Sequence, residues 1–381
     1  MKSLPKSLQK KLEKRKVLNS LRKLPEENNL KDFSSNDYIG FSQNQELAQL
    51  ANSFLFRNLQ NGATGSRLLS GNHYLYAQTE TLIARFHQQE SALIFNSGYT
   101  ANIGFFSCVP QREDVVFYDE LIHASIRDGL AMGLAKNFNF KHNDLKDLNK
   151  KVKRWKKNNT STIYVVTESV FSMDGDSPDL SALTDLCEDN NLYLIVDEAH
   201  ALGVYGTNGR GLVQELKLQH KVFAQIVTFG KGLGSHGAAI LGSDTLKNYL
   251  INFARSLIYT TALPPHTVSL INAGYQQLYQ KPDAIQQLKT NISFFNSKIS
   301  ELNLSELFIT SDSAIHCCMI CSVSKVKEIA LKLQRKGFNI KPILSPTVPK
   351  GKERLRFCLH SFNTKQEIEN LLKLVSEYVK D

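Results

Sequence analysis

Cysteine, glycine and proline are all scarce in this sequence. Six Cys in 381 residues are too few for a disulfide scaffold. Cys318 and Cys321 make a lone C-x-x-C with no second pair or His couple, so no metal is expected. With 21 Gly and 10 Pro, collagen-like and Pro/Gly-rich disordered classes are excluded. Long apolar runs are also missing. The uncharged stretches Ser91–Gln111 and Ser256–Gln280 are broken by Asn96, Ser97, Asn102, Pro264-Pro265 and His266, which hydrocarbon would not tolerate. The start of the chain lacks the apolar centre of a secretory signal. A cytoplasmic protein with reduced thiols and no membrane partner is expected.

What is present is ordinary for a globular chain: 42% hydrophobic and 22% charged residues. The net charge of +10 is local. Residues 1–23 carry nine Lys/Arg against the single acid Glu13, which is +8 of the +10. A second basic run covers Lys150–Lys157. Such runs usually form solvated helix faces, and no nucleic-acid partner is expected from them.

The leucines of 4–24 recur near helical spacing, and an extended segment, Lys31–Tyr38, follows. Short apolar strands are read at Ala92–Phe95, Val115–Tyr118, Thr162–Thr167, Leu192–Val196, Gln225–Phe229 and Ala238–Leu241, with helices such as Leu145–Lys156 and Leu180–Asn190 between them. That alternation predicts an α/β fold with a mainly parallel sheet covered on both faces. From about Leu263 the rhythm changes to one long helix, Pro265–Leu302, then strands near Ile315–Val323, Asn339–Ile343 and Arg354–Leu359 and helices Lys325–Lys336 and Lys365–Lys380. Three regions are expected: an N-terminal basic helix and arm over 1–45, a large α/β domain over 46–264 and a smaller α+β domain over 265–381.

Polar residues cluster at the predicted strand ends, where open α/β sheets bind ligands. Asp197 closes an apolar strand and His200 follows it. Lys231 lies just past the next strand, 34 residues after Asp197, between Gly230 and Gly232. A lysine so placed, partly desolvated, can act as a nucleophile. Gly232, Gly234 and Gly237 fit G-x-G-x-x-G, but the acid a dinucleotide site needs some way downstream is missing. Ser97-Gly98-Tyr99 joins a strand to a probable helix whose first N–H groups suit a phosphate. His123 and Ser172 each follow another strand.

One ligand accounts for all five strand ends: pyridoxal 5'-phosphate, which needs a lysine, an acid at its ring nitrogen, a phosphate cradle and a flat partner. The matching stretches are Phe33–Tyr38, Ser70-Gly71, Ser97–Asn102, His123–Ser125, Thr167–Asp176, Asp197–His200, Thr228–Lys231, Leu263–Pro265 and Pro346–Pro349. Through them the sequence resembles the α-oxoamine synthases, and among these most closely the 8-amino-7-oxononanoate synthases. Gly237-Ala238-Ala239 favours that subgroup.

The resemblance implies a type I PLP-dependent transferase fold, aspartate-aminotransferase-like, and a role for each matching position. Lys231 would carry the cofactor, Asp197 would pair with its ring nitrogen, and His200 and Ser172 would touch its 3-oxygen. His123 would stack on the ring. Ser97, Gly98, Tyr99 and Thr228 would hold the phosphate, with Thr260 or Thr261 reaching it from a second subunit of a homodimer. Arg356 would grip the amino-acid carboxylate, and Arg22, Asn36, His123 and Thr347 would line the substrate site. The implied reaction joins L-alanine to a pimeloyl thioester of CoA or acyl carrier protein, with loss of CO2 and thiol, in biotin biosynthesis. Glycine C-acetyltransferase and serine palmitoyltransferase chemistry are the alternatives within the group. A non-catalytic protein that uses its basic arm on nucleic acid is the alternative outside it.

Overall fold

The computed structural model describes residues 3–24, 26, 29–55, 60–280 and 282–380. Its centre is a seven-stranded sheet. The strands are β1 (Ser91–Phe95), β2 (Val115–Asp119), β3 (Lys136–Phe140), β4 (Ile163–Glu168), β5 (Tyr193–Asp197), β6 (Ala224–Thr228) and β7 (Ala238–Gly242). Their spatial order is β1-β7-β6-β5-β4-β2-β3. Only β7 runs antiparallel to its neighbours. β1, β4 and β6 are buried along their whole length and read as continuous apolar runs, because helices cover both faces.

Alternation along each strand divides the core in two. Ile94, Val165, Val196 and Val227 face one layer. Leu93, Phe95, Val116, Ile195 and Ile226 face the other. Helix starts are set by short polar caps. Ser97 opens α1 (Gly98–Cys108) with a reciprocal Ser97–Thr100 box, His123 opens α2 (Ala124–Met132), and Asp144 accepts from the N–H groups of Lys146 and Asp147 at the start of Leu145–Lys156. The last of these buries Leu148 and Val152 and turns its basic run outward. The basic N-terminal helix, Lys6–Val17, buries no residue.

Three elements differ from the sequence reading. β3 was not expected. It is the edge strand, with mostly exposed Lys and Asn, so it lacks an apolar run. The single helix over 265–302 is two, Pro265–Gln280 and Asp283–Glu301. Pro282 stands at the break, where a ring without an N–H cannot continue the first helix but suits the start of the second. The strand near 339–343 divides between two sheets. Phe338–Asn339 pairs parallel with Lys31–Asp32. Lys341–Ile343 pairs antiparallel with Arg354–Cys358, which in turn pairs with Ile315–Met319.

Candidate active site

The carboxyl ends of β1, β2, β4, β5 and β6 converge on a cavity of about 240 Å³. Asn36, Ser97, Gly98, Tyr99, Asn102, His123, Ser125, Glu168, Asp197, Thr228, Lys231 and His236 line it.

Asp197, the last residue of β5, is held at both carboxylate oxygens. Ala199 N donates to Oδ1 at 3.0 Å and Asn102 Nδ2 to Oδ2 at 3.0 Å. Asn102 also donates to Ser125 Oγ at 2.9 Å, and that hydroxyl lies 2.7 Å from His123 Nδ1. One network therefore fixes the acid and the imidazole together. The backbone N–H of His123 donates to Glu168 Oε1 at 2.5 Å. Burial, then the Asp197 charge, pushes the Glu168 carboxyl up to about 8. Burial lowers the His123 pKa, with Asp197 opposing.

Lys231 lines the same cavity as these acids. Its burial brings the amine down to about 8, with Asp197 and Glu168 pulling the other way. Lys231 Nζ is 2.7 Å from His200 Nε2, and His200 Nδ1 is 2.6 Å from the Tyr38 hydroxyl. Tyr38 also donates to Asn36 Oδ1 at 3.2 Å, an oxygen that accepts from Arg356 Nη2 at 3.0 Å. Arg356 is buried, and its Nε donates to the Ser172 carbonyl at 2.7 Å. The lysine and the arginine thus stand at the two ends of one polar chain.

The remaining expected positions lie as follows. Tyr99 is 47% exposed and its hydroxyl donates to Asp128 at 2.7 Å, at the rim rather than over the cavity floor. The Thr228 hydroxyl donates to the Ala199 carbonyl at 3.3 Å. Ser172 is outside the cavity lining and takes part through its main-chain carbonyl. Thr260 and Thr261 meet Asn96, whose Nδ2 donates to Thr260 Oγ1 at 3.3 Å and to the Thr261 carbonyl at 2.7 Å. Arg22 and Thr347 are joined to each other at 3.4 Å but line a second cavity of about 190 Å³, with Arg15 and Lys327. They do not share the cavity of Lys231.

A family model for aminotransferase class I and II matches residues 28–375. The chain belongs to this family. Within it, the chain is similar to an 8-amino-7-oxononanoate synthase of Emericella nidulans, 37% identical over 373 residues, covering 92% of this chain and 89% of that protein. It is also similar to an 8-amino-7-oxononanoate synthase of Lysinibacillus sphaericus, 32% identical over 349 residues, with 92% and 88% covered. Among solved structures, the 8-amino-7-oxononanoate synthase of Francisella tularensis superposes with a TM-score of 0.79 at 30% identity, over 93% of this chain and 99% of that one. The Sphingomonas wittichii serine palmitoyltransferase superposes with a TM-score of 0.90 at 23% identity, over 100% and 98%, and shares the fold.

The site residues fit the cofactor of this aminotransferase fold, pyridoxal 5'-phosphate. A Cβ at Gly98 would stand 2.5 Å from Thr228 Cγ2, so only glycine keeps the α1 N-terminus this close to the end of β6. The capping box uses the N–H groups of Ser97 and Thr100 and leaves those of Gly98 and Tyr99 for an anion. Asn102 Oδ1 and Ser235 Oγ are buried without a hydrogen-bond partner. An amine and a fixed carboxylate line one cavity, the pair that an aldehyde carbon and a cationic ring nitrogen require.

Tyr38, Asn102, Ser125, Glu168 and His236 were not expected as site residues. The first four lie inside the stretches that carried the resemblance, and Glu168 follows Thr167 at the end of β4, so strand-end placement marks it. His236 sits in the glycine-rich turn after Lys231, and no residue pattern distinguishes it.

Proposed function

We propose that this protein is a PLP-dependent acyltransferase that condenses L-alanine with a pimeloyl thioester, giving 8-amino-7-oxononanoate, CO2 and the free thiol. The observation that carries this reading is the meeting, in one cavity, of the amine of Lys231 and the fixed carboxylate of Asp197, with Arg356 at the far end of the Lys231–His200–Tyr38–Asn36 chain. The 37% identity to the Emericella nidulans synthase favours this chemistry over acetyl or palmitoyl transfer. The serine palmitoyltransferase likeness, at 23% identity, speaks for the fold alone.

Bound pyridoxal phosphate supplies an electron sink for a carbanion at the amino-acid α-carbon. The chain's own residues do the rest. Asp197, held by Ala199 N and Asn102 Nδ2, presents its carboxylate as the anionic partner that a protonated ring nitrogen would need. His123, oriented by Ser125, offers a flat imidazole. Arg356 presents a guanidinium fork to the carboxylate of the amino acid. Lys231 Nζ, whose pKa burial brings down to about 8, is the base that takes the α-proton. The cavity is small and lined by polar groups at its floor, and a small amino acid such as alanine suits it.

The acyl donor is proposed to approach past Arg22 and Thr347, where Arg15 and Lys327 add positive charge suited to a phosphorylated carrier. A homodimer is proposed in which Thr260 or Thr261 reaches the phosphate of the other subunit. Exposed Leu68, Leu69 and Tyr259 flank this edge and offer apolar surface for it.

The test is a substrate panel. The purified protein with pyridoxal phosphate is given L-alanine, glycine or L-serine, each with pimeloyl-, acetyl- or palmitoyl-CoA, and thiol release is followed. Turnover with alanine and pimeloyl-CoA alone is expected. Turnover only with glycine and acetyl-CoA would move the protein to another reaction of the group, and no visible absorption of a lysine-bound cofactor would remove the role of Lys231.

A further inference from the structure

Tyr38 is wholly buried, and its hydroxyl lies between two groups, 2.6 Å from His200 Nδ1 and 3.2 Å from Asn36 Oδ1. Arg356 only donates, so the atom it meets on Asn36 is the amide oxygen, which only accepts. On its other side, His200 Nε2 is 2.7 Å from Lys231 Nζ. His200 is neutral. Burial, then the charges of Lys231, Arg356 and His123, lowers its pKa well below the usual value. A neutral imidazole carries one N–H, so one ring nitrogen donates and the other accepts.

Only two arrangements satisfy every group in this chain. An ammonium on Lys231 only donates. Nε2 then accepts, Nδ1 carries the proton, the Tyr38 oxygen accepts from Nδ1, and its own hydrogen turns to Asn36. A neutral amine is a better acceptor than donor. Nε2–H then points to Lys231, and the Tyr38 hydroxyl donates to Nδ1. A phenylalanine at 38 would serve neither arrangement, and a group that only donates would serve one.

We propose that Tyr38 is a positioning residue that sets the tautomer of His200 according to the state of Lys231. In passing between the two arrangements, Lys231 Nζ gives a proton to Nε2, Nδ1 gives its proton to the Tyr38 oxygen, and Tyr38 releases the hydrogen it had turned to Asn36, which lines the cavity, so one proton leaves for solvent. His200 can therefore present an Nε2–H to an anionic acceptor without becoming charged. The inference rests on the reading of Lys231 as the reacting amine. Asp197, Glu168, Arg356, His123 and Cys358 also face this pair. Asp197 and Glu168 favour the ammonium, while Arg356 opposes it.

The test uses full-length, cofactor-free protein with nitrogen-15-labelled histidine, and the His200 signals are assigned by their loss in His200→Gln. In titration from about pH 6.5 to about pH 9.5, the tautomer is expected to pass from Nδ1–H to Nε2–H. The midpoint should coincide with that of Lys231, at about 8, read in parallel from its reductive methylation by mass spectrometry. A tautomer that stays constant while Lys231 titrates would overturn the proposal. In Tyr38→Phe both arrangements lose their partner at Nδ1, and the His200 tautomer should no longer follow the Lys231 midpoint. A Tyr38→Phe protein that titrates like the native one would also overturn it, and if that variant does not fold, the native titration decides alone. An inactive substrate panel leaves the titration readable, so the two readings fail separately.

Discussion

Arg356 reaches Asn36 with Nη2 at 3.0 Å while its Nε holds the Ser172 carbonyl at 2.7 Å. Two of the fork's directions are thereby fixed, which in the proposed role would lower the entropy lost on gripping a carboxylate. Arg356→Lys keeps the charge but loses the fork. KM for the amino acid should rise about 10- to 100-fold with a smaller change in kcat, measured by steady-state kinetics.

The lowered pKa of Lys231 has a direct kinetic signature. Only the neutral amine attacks an aldehyde. For the cofactor-free protein, the rate of pyridoxal phosphate capture should rise about tenfold per pH unit well below the midpoint, and level off above about 8. Stopped-flow absorbance checks this. A rate still climbing toward the ordinary lysine value would show that burial does not act on this amine.

The close approach of α1 to β6 can be tested by steric rescue. In Gly98→Ala the new methyl meets Thr228 Cγ2 at 2.5 Å. Thr228 is β-branched and buried, so it cannot swing away, and cofactor affinity should fall about tenfold. Thr228→Ser removes the opposing methyl and keeps the hydroxyl. The double variant should bind the cofactor more tightly than Gly98→Ala alone, as read by fluorescence titration.

His142 joins the end of β2 to the loop that carries Asp176. Its Nδ1 is 2.9 Å from Asp119 Oδ1 and its Nε2 is 2.8 Å from Asp176 Oδ2. Burial disfavours its charge, but the hydrogen bonds to Asp119 and Asp176 outweigh that and raise the pKa to about 10. A histidine whose folded pKa is raised contributes stability fully below its unfolded value and loses it as pH rises through the folded one. His142→Asn should therefore cost stability most near about pH 6, by about 1–2 kcal/mol given its partial exposure. The difference should shrink toward about 10, and denaturant titrations at several pH values measure it.

The strand ends were legible because buried parallel strands spell themselves as apolar runs that stop at a polar residue. Asp197, Lys231, His123 and Gly98 all stand at such stops. The edge strand β3 escaped because half of it faces water and its Lys and Asn break the run. Tyr38 was quoted within a motif, but its contact with His200 joins residues 162 apart in sequence, which no local pattern encodes. The separation of Arg22 and Thr347 from the Lys231 cavity is likewise a property of packing, since both stand in segments whose spacing says nothing of distance.

Lys231 follows a strand of the seven-stranded sheet, whereas Arg356 belongs to the three-stranded one. In the proposed roles, an amino acid directed to Lys231 and held by Arg356 would bridge two sheets that share no strand. Occupancy by such a ligand would tie the C-terminal sheet to the central one.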